Sequence, residues 1–457
     1  MIFLGQASNY RGRRIWRHLF AHGSAADSRR LRQTLARRYG ATTLADVQLY
    51  HTGRSALAAA IQSLVPAGSP VIVPGLTCIA VIRAIKAAGC TPVYVDIDPA
   101  TLQYDLGALA RTLKQLSTRR PTPAKPLQLD KSDKVCYTGI VMAQNTLGRS
   151  LAMGKIQPLA DAAHFAIVED LAHSAGRFYP DGREIGTVGA AAVLSFGKGK
   201  SIDTIEGGAA ILRRTAFPVA QPHATPKSSA TKYPTSAPAV PLQPLAQPTT
   251  QPRRSDQLRD RWYPAFGWLA RGFYHLGLGR FFLGALHRLH WLARSADAVL
   301  DPDQALPDWQ AKLALAQLSA LPATPLREHY FVQNRPAVLQ SLARAGYQLA
   351  EIWYDTPVSP ARYAAEAAFP TKACPQTTWV AAHIVNLPTW YPETKLSPAR
   401  ALIQQHLASP PHSTTKSHSA AKSPSAVKSP ATAKPHSTPE SHSTTKPHPN
   451  PTKEQSA

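Results

Sequence analysis

Six short apolar runs punctuate residues 41–214, each bounded by a stretch of helical period. They are Pro70 to Pro74 (PVIVP), Pro92 to Ile97 (PVYVDI), Gly139 to Ala143 (GIVMA), Ala166 to Asp170 (AIVED), Ala191 to Phe196 (AAVLSF) and Gly208 to Leu212 (GAAIL). Ser55 to Leu64, Cys78 to Ala88, Leu106 to Leu116 and Ile156 to His164 read as helices between them. Runs that are apolar throughout have to be buried on both faces, and intervening helices supply the crossovers of a parallel sheet. The predicted class is α/β, a mostly parallel sheet sandwiched by helices.

Elsewhere the pattern changes. Residues 215–256 are dense in Pro, Ala, Ser and Thr without helical or strand period, and residues 409–457 repeat a loose Ser-Pro-Lys-His theme. Neither segment has enough apolar side chains to offset the entropy of ordering, so both are expected to be disordered. A shorter loop is expected over 117–133. Residues 257–300 interleave aromatic residues with Arg and His, as amphipathic helices packed on the core or a partner do; an interfacial membrane helix has the same composition. Residues 308–345 read as two helices and 346–400 as a small mixed region. The expected organisation is a basic segment (1–40), a large ligand-binding domain (41–214), the insertion (215–256), a helical and small C-terminal domain (257–408) and a basic tail (409–457).

Composition narrows the function. A chain of 457 residues with 44% hydrophobic content can bury a sizeable core, and 26 Gly exclude a collagen. Cys78, Cys90, Cys136 and Cys374 form no CxxC pair. That argues against a structural zinc site or a disulfide scaffold, so no metal is expected and a reducing, cytoplasmic location is. No apolar run is long enough to span a bilayer, and the apolar core of an export signal is missing after Leu4. The formal charge is +24; residues 1–40 hold nine Arg against one Asp, and the tail six Lys against two Glu. The Arg-rich start fits a helix on the fold, a membrane contact or a transit segment. Nucleic acid is not the expected partner, because Lys-Pro-Ser tails also serve as solubilising appendages.

Chemistry concentrates between Phe165 and Leu212. One strand ends in Glu169-Asp170, the next in Ser195-Phe196, and a turn with Lys198 and Lys200 leads to Glu206-Gly207-Gly208. Ligands bind above the carboxyl ends of parallel strands, so an acid, a hydroxyl and an amine converge there. Pyridoxal phosphate demands such a trio: a Lys for its aldehyde, a carboxylate for its pyridine nitrogen, and hydroxyl or backbone N–H donors for its phosphate. Asp170 and either Lys198 or Lys200 suit the first two roles. Ser195 and the turn Thr52-Gly53-Arg54-Ser55, which opens a helix, suit the third.

These residues resemble the DegT/DnrJ/EryC1/StrS aminotransferases, pyridoxal-phosphate enzymes of fold type I that mostly aminate keto sugars on nucleotide carriers. The resemblance runs through TGRSAL (52–57), residues 71–102, IVEDLAHSAG (167–176), GREIGTVG (182–189), SFGKGKSIDTIEGGAAI (195–211) and, more weakly, WQAKLALAQLSAL (309–321). It implies the fold type I architecture with a smaller mixed C-terminal domain. It also implies that Lys200, five residues after Ser195 and six before Glu206, is the Schiff-base lysine, with Lys198 a neighbour. Asp170 then meets the pyridine nitrogen, His173 lies beside the ring, and Ser195, Gly53 and Arg54 contact the phosphate. Dehydratase relatives carry His in place of that Lys, so Lys200 points away from them.

The implied activity is transfer of an amino group, from glutamate or a similar donor, to a nucleotide-linked keto sugar for cell-surface glycan or natural-product synthesis. A homodimer meeting around the cofactor cleft is also implied, and the aromatic stretch 257–300 is expected at that contact, with a peripheral membrane contact as the other use for it. Two departures stand out: Cys78 replaces a stacking aromatic residue, and Asp301 to Asp308 lacks the family's Asn-Tyr-Arg-Met element. They motivate an alternative, a non-catalytic binding or scaffold protein on the same fold.

Overall fold

The computed structural model describes residues 2–4, 12–118, 137–214, 242–288, 300–349 and 352–411. The expected loop over 119–133, the insertion over 215–241 and the tail from 412 lie outside the described residues.

A seven-stranded sheet forms the centre, in the order Val47–Tyr50, Gly208–Leu212, Ala191–Ser195, Phe165–Asp170, Gly139–Gln144, Pro70–Pro74 and Thr91–Val95. Gly208–Leu212 runs antiparallel to both its neighbours, and every other pairing is parallel. Strands such as Val71–Val73 and Ile140–Ala143 are fully buried because helices cover both faces. Ala25–Tyr39, Met153–Ala162 and Asp308–Leu318 pack on one face. Gly53–Leu64 and Ile79–Ala87 pack on the other.

The basic N-terminal segment is a pair of helices on the fold, Arg13–Leu19 and Ala25–Tyr39. Leu31, Leu35 and Tyr39 recur at helical spacing and are fully buried, while most of the Arg residues stay outside. The end of the expected disordered insertion is also ordered. Leu242 and Leu245 enter the second core cluster, the Tyr50 hydroxyl donates to the Ala246 carbonyl at 2.6 Å, and Arg214 donates to the Leu242 carbonyl at 2.9 Å. Two leucines set among prolines suffice to tether an extended strap, which low average hydrophobicity conceals. From Arg254 the chain continues as the helix Arg254–His275.

The C-terminal region has its own core around Val338, Leu342, Val385, Leu387, Leu396 and Ile403. Its Arg327–Phe331 and Ile384–Pro388 strands pair antiparallel, and Val358–Ser359 runs parallel to Thr77–Cys78 at the rim of the large sheet. Among the described residues no helix is long and apolar enough to cross a membrane.

Two buried histidines give the fold a pH dependence. Burial pushes His18 and His51 down to about 4, against weaker raising effects of Asp203 on His18 and Asp256 on His51. The unfolded chain takes up protons near pH 6.5 that the folded state refuses, so stability falls as pH drops from 6.5 towards 4. At pH 5 each should destabilise the fold by roughly 2 kcal/mol relative to pH 7. Thermal melts at the two pH values check this; equal melting temperatures would contradict it.

Candidate active site

Strand alternation separates the two acids at the end of Phe165–Asp170, because successive side chains point to opposite faces. Glu169 is fully buried and structural. Its Oε1 accepts from the Tyr179 hydroxyl at 2.7 Å and the Gly186 N–H at 2.8 Å. Its Oε2 accepts from the Val188 and Gly189 N–H groups at 2.8 and 2.7 Å and pairs with Arg213 at 2.8 Å. Asp170 accepts the Ala172 N–H at 2.9 Å. Burial pushes its carboxyl above the usual range, opposed by that N–H and by the positive charge of Lys200.

The turn after Ala191–Ser195 sends its two lysines in different directions. Lys200 Nζ lies 2.9 Å from His173 Nε2. Lys198 Nζ lies 4.2 Å from the centre of the Tyr263 ring, and its charge acts on Glu206 and Asp260. Of the two lysines, Lys200 is the one placed at His173, and its charge acts on Asp170. His173 is held well below the usual histidine range, first by burial and then by the charges of Lys200 and Arg327. It is neutral at pH 7.

Gly53 and Ser195 meet at the start of Gly53–Leu64. Thr52 caps that helix by accepting the Ser55 N–H at 3.1 Å. A Cβ on Gly53 would stand 2.9 Å from the Cβ and Oγ of Ser195, so only glycine lets the helix N-terminus approach the hydroxyl. Ser195 Oγ accepts the Gly197 N–H at 3.3 Å, and a Cβ on Gly197 would stand 4.0 Å from Lys200 Cγ. Ser195, Gly53 and Lys200 therefore share one small volume. Arg54 is buried with its charge among Glu206 and His51.

The sequence pattern missed one part of this site. The segment from Ile352 crosses from the C-terminal region and lays Trp353 on His173, the rings 4.7 Å apart and 24° from parallel. Lys200 Nζ and the Arg327 guanidinium stand 4.7 and 4.2 Å from the centre of the same indole. Buried Asn386 fixes its backbone, accepting from the Trp353 N–H at 3.3 Å and donating to its carbonyl at 2.7 Å, while its Oδ1 also accepts from Arg327 at 2.8 Å. Tyr354 is buried beside Trp353, and that burial pushes its hydroxyl well above the usual tyrosine range. Aromatic density that Cys78 does not provide thus arrives from Trp353, far along the chain, and no local motif around Trp353 announces it.

An amine, a neutral imidazole, a carboxylate and a hydroxyl beside a helix N-terminus form a donor set that fits pyridoxal 5'-phosphate. The side-chain-free Gly53 leaves room for an anion against that N-terminus, and Nδ1 of buried His173 has no hydrogen-bond partner among the described residues. The sequence model of the DegT/DnrJ/EryC1/StrS aminotransferase family matches residues 42–217. Over those residues the chain is similar to that family.

Individual relatives agree. The chain is 32% identical over 157 residues to GDP-perosamine synthase of Escherichia coli O157:H7, covering 34% of this chain and 37% of that protein. It is 27% identical over 222 residues to the L-glutamine:2-deoxy-scyllo-inosose aminotransferase of Micromonospora echinospora, 47% of either chain. The chain thus spans less than half the length of these curated relatives. The whole fold is similar to the PLP form of the sugar aminotransferase Spr1654 from Streptococcus pneumoniae, with a TM-score of 0.51 and 15% identity over 87% of this chain and 94% of that one. At that identity the likeness shows the fold, a mostly parallel sheet flanked by helices as expected.

Proposed function

We propose that the protein is a pyridoxal-phosphate-dependent aminotransferase, moving an amino group from glutamate or a similar donor to a keto sugar on a nucleotide carrier. The observation that carries this reading is the divergence of the two lysines: Lys200 Nζ is placed on His173 beside Asp170, while Lys198 is committed to Tyr263. The similarity of residues 42–217 to an aminotransferase family supports it. The proposal includes a cytoplasmic location and the homodimer implied by the resemblance.

Each group has a distinct task. Lys200 is the attachment point of the cofactor and, when displaced, an amine that carries a proton between neighbouring atoms. Neutral His173 can hold a proton at Nε2 within 2.9 Å of that amine. Asp170 presents negative charge where the pyridine nitrogen needs it. Ser195 Oγ and the N-terminus of Gly53–Leu64 offer donors to the phosphate. Trp353 stacks on His173 and lies against the Lys200 amine. The cofactor, when bound, supplies a conjugated electron sink.

The alternative, a scaffold on the same fold, is kept by the short coverage of the curated relatives. Absorption separates the two. Purified protein given pyridoxal phosphate and then desalted should retain a visible band, which glutamate or glutamine bleaches and a keto acceptor restores. A protein that keeps no visible band after desalting is not this enzyme, and a band that no donor bleaches marks the scaffold.

A further inference from the structure

Three helices build a surface that the proposed reaction does not use. Arg13–Leu19 packs on Arg254–His275, with Ile15 and Ala265 in one small apolar cluster and Arg261 donating to the Ala21 carbonyl at 2.8 Å. Gly279–Arg288 is joined to them by the Phe273 and Phe282 rings, stacked 4.4 Å apart. Outward, these helices expose large apolar side chains. Phe281 is 80% exposed, Leu276 72%, Phe20 65%, Trp16 61%, Trp268 56% and Trp262 44%. A soluble surface rarely gathers so many.

The charges on the same helices are mostly positive. Arg13–Leu19 contains three Arg and no acid, and from Arg261 to Arg288 the sequence has four Arg and neither Asp nor Glu. Only two acids precede that stretch on Arg254–His275. Asp260 is turned inward and 1% exposed, and Asp256 is paired with Arg259 at 2.9 Å. One carboxylate is thus buried and the other ion-paired, while Arg13 and Arg17 are exposed beside the aromatic side chains. A second copy is a poor occupant, because a two-fold contact would bring these Arg residues against their own equivalents. A lipid surface of opposite charge meets both features, with Trp and Phe at the headgroup boundary and Arg among the phosphates.

We propose that this three-helix face docks the protein on an anionic phospholipid bilayer, peripherally and without crossing it. The test is co-sedimentation of the full chain with vesicles of phosphatidylcholine alone or mixed with phosphatidylglycerol. The protein should pellet with the mixed vesicles, stay in solution with the neutral ones, and be released by added salt. Trp268→Glu with Phe281→Glu should lower binding at least about tenfold without moving the melting temperature. Trp16→Glu, on a different helix, should weaken it in the same direction and covers the case in which the double variant fails to fold. The basic tail is unaltered in all of them. Variants that pellet like the parent would assign the binding to other charges and overturn the proposal. So would a parent that stays in solution with both vesicle types, or a dimer that the double substitution splits into monomers.

Discussion

Lys200→Ala should abolish covalent attachment of pyridoxal phosphate and lower amino transfer by roughly four to six orders of magnitude, the scale seen when an essential nucleophile is removed. Nothing nearby can substitute. Lys198, two residues away, is buried and points to Tyr263 with Glu206 and Asp260 as its charge neighbours. Lys198→Ala is therefore the informative partner: it should leave attachment intact. Its effect should fall on stability, at about 1–3 kcal/mol, because it removes the cation over Tyr263 and one of the cations beside Glu206 and Asp260. Visible absorption and thermal melts of the two variants distinguish the roles. A Lys198→Ala protein that loses the visible band while Lys200→Ala keeps it would invert the assignment.

Asp170→Asn should lower kcat by about a hundred- to a thousandfold, the range for removing one preorganised electrostatic partner. Asn keeps the shape and can still accept the Ala172 N–H, so the backbone at the strand end is preserved. What it loses is the negative charge. Because burial raises the Asp170 carboxyl, the folded state holds that charge at a cost, and its removal should leave the melting temperature unchanged or higher. The neighbouring Glu169 behaves in the opposite way: it anchors Arg213 and four other donors, so its loss would be felt in folding. Steady-state rates with melts check this pair of outcomes. A kcat within about threefold of the parent would remove Asp170 from the site.

The central sheet was legible because its strands are apolar on both faces, a signal that needs no tertiary context. Val47–Tyr50 escaped: it holds Gln48 within four residues and becomes a strand only by pairing with Gly208–Leu212. The run from Pro92 to Ile97 reads as one strand but is broken at Asp96, whose carboxylate accepts from Ile97, Gln376 and Thr377 N–H groups. That break serves long-range partners invisible in a local window. The proposed site divides in the same way. Asp170, His173, Ser195 and Lys200 lie within 31 positions on strand ends and one turn, so residue types and spacing expose them. Trp353 and Asn386 come from the small mixed region over 346–400, and Arg327 from the strand Arg327–Phe331, inside a stretch whose pattern reads as helix. Their meeting depends on how that region docks on Thr77–Cys78.

The most direct measurement is the site of covalent attachment in the unaltered protein. After loading with pyridoxal phosphate, reduction with borohydride and proteolysis, mass spectrometry should find the pyridoxyl label on Lys200 and not on Lys198. A label on Lys198, or no labelled lysine at all, would contradict the account.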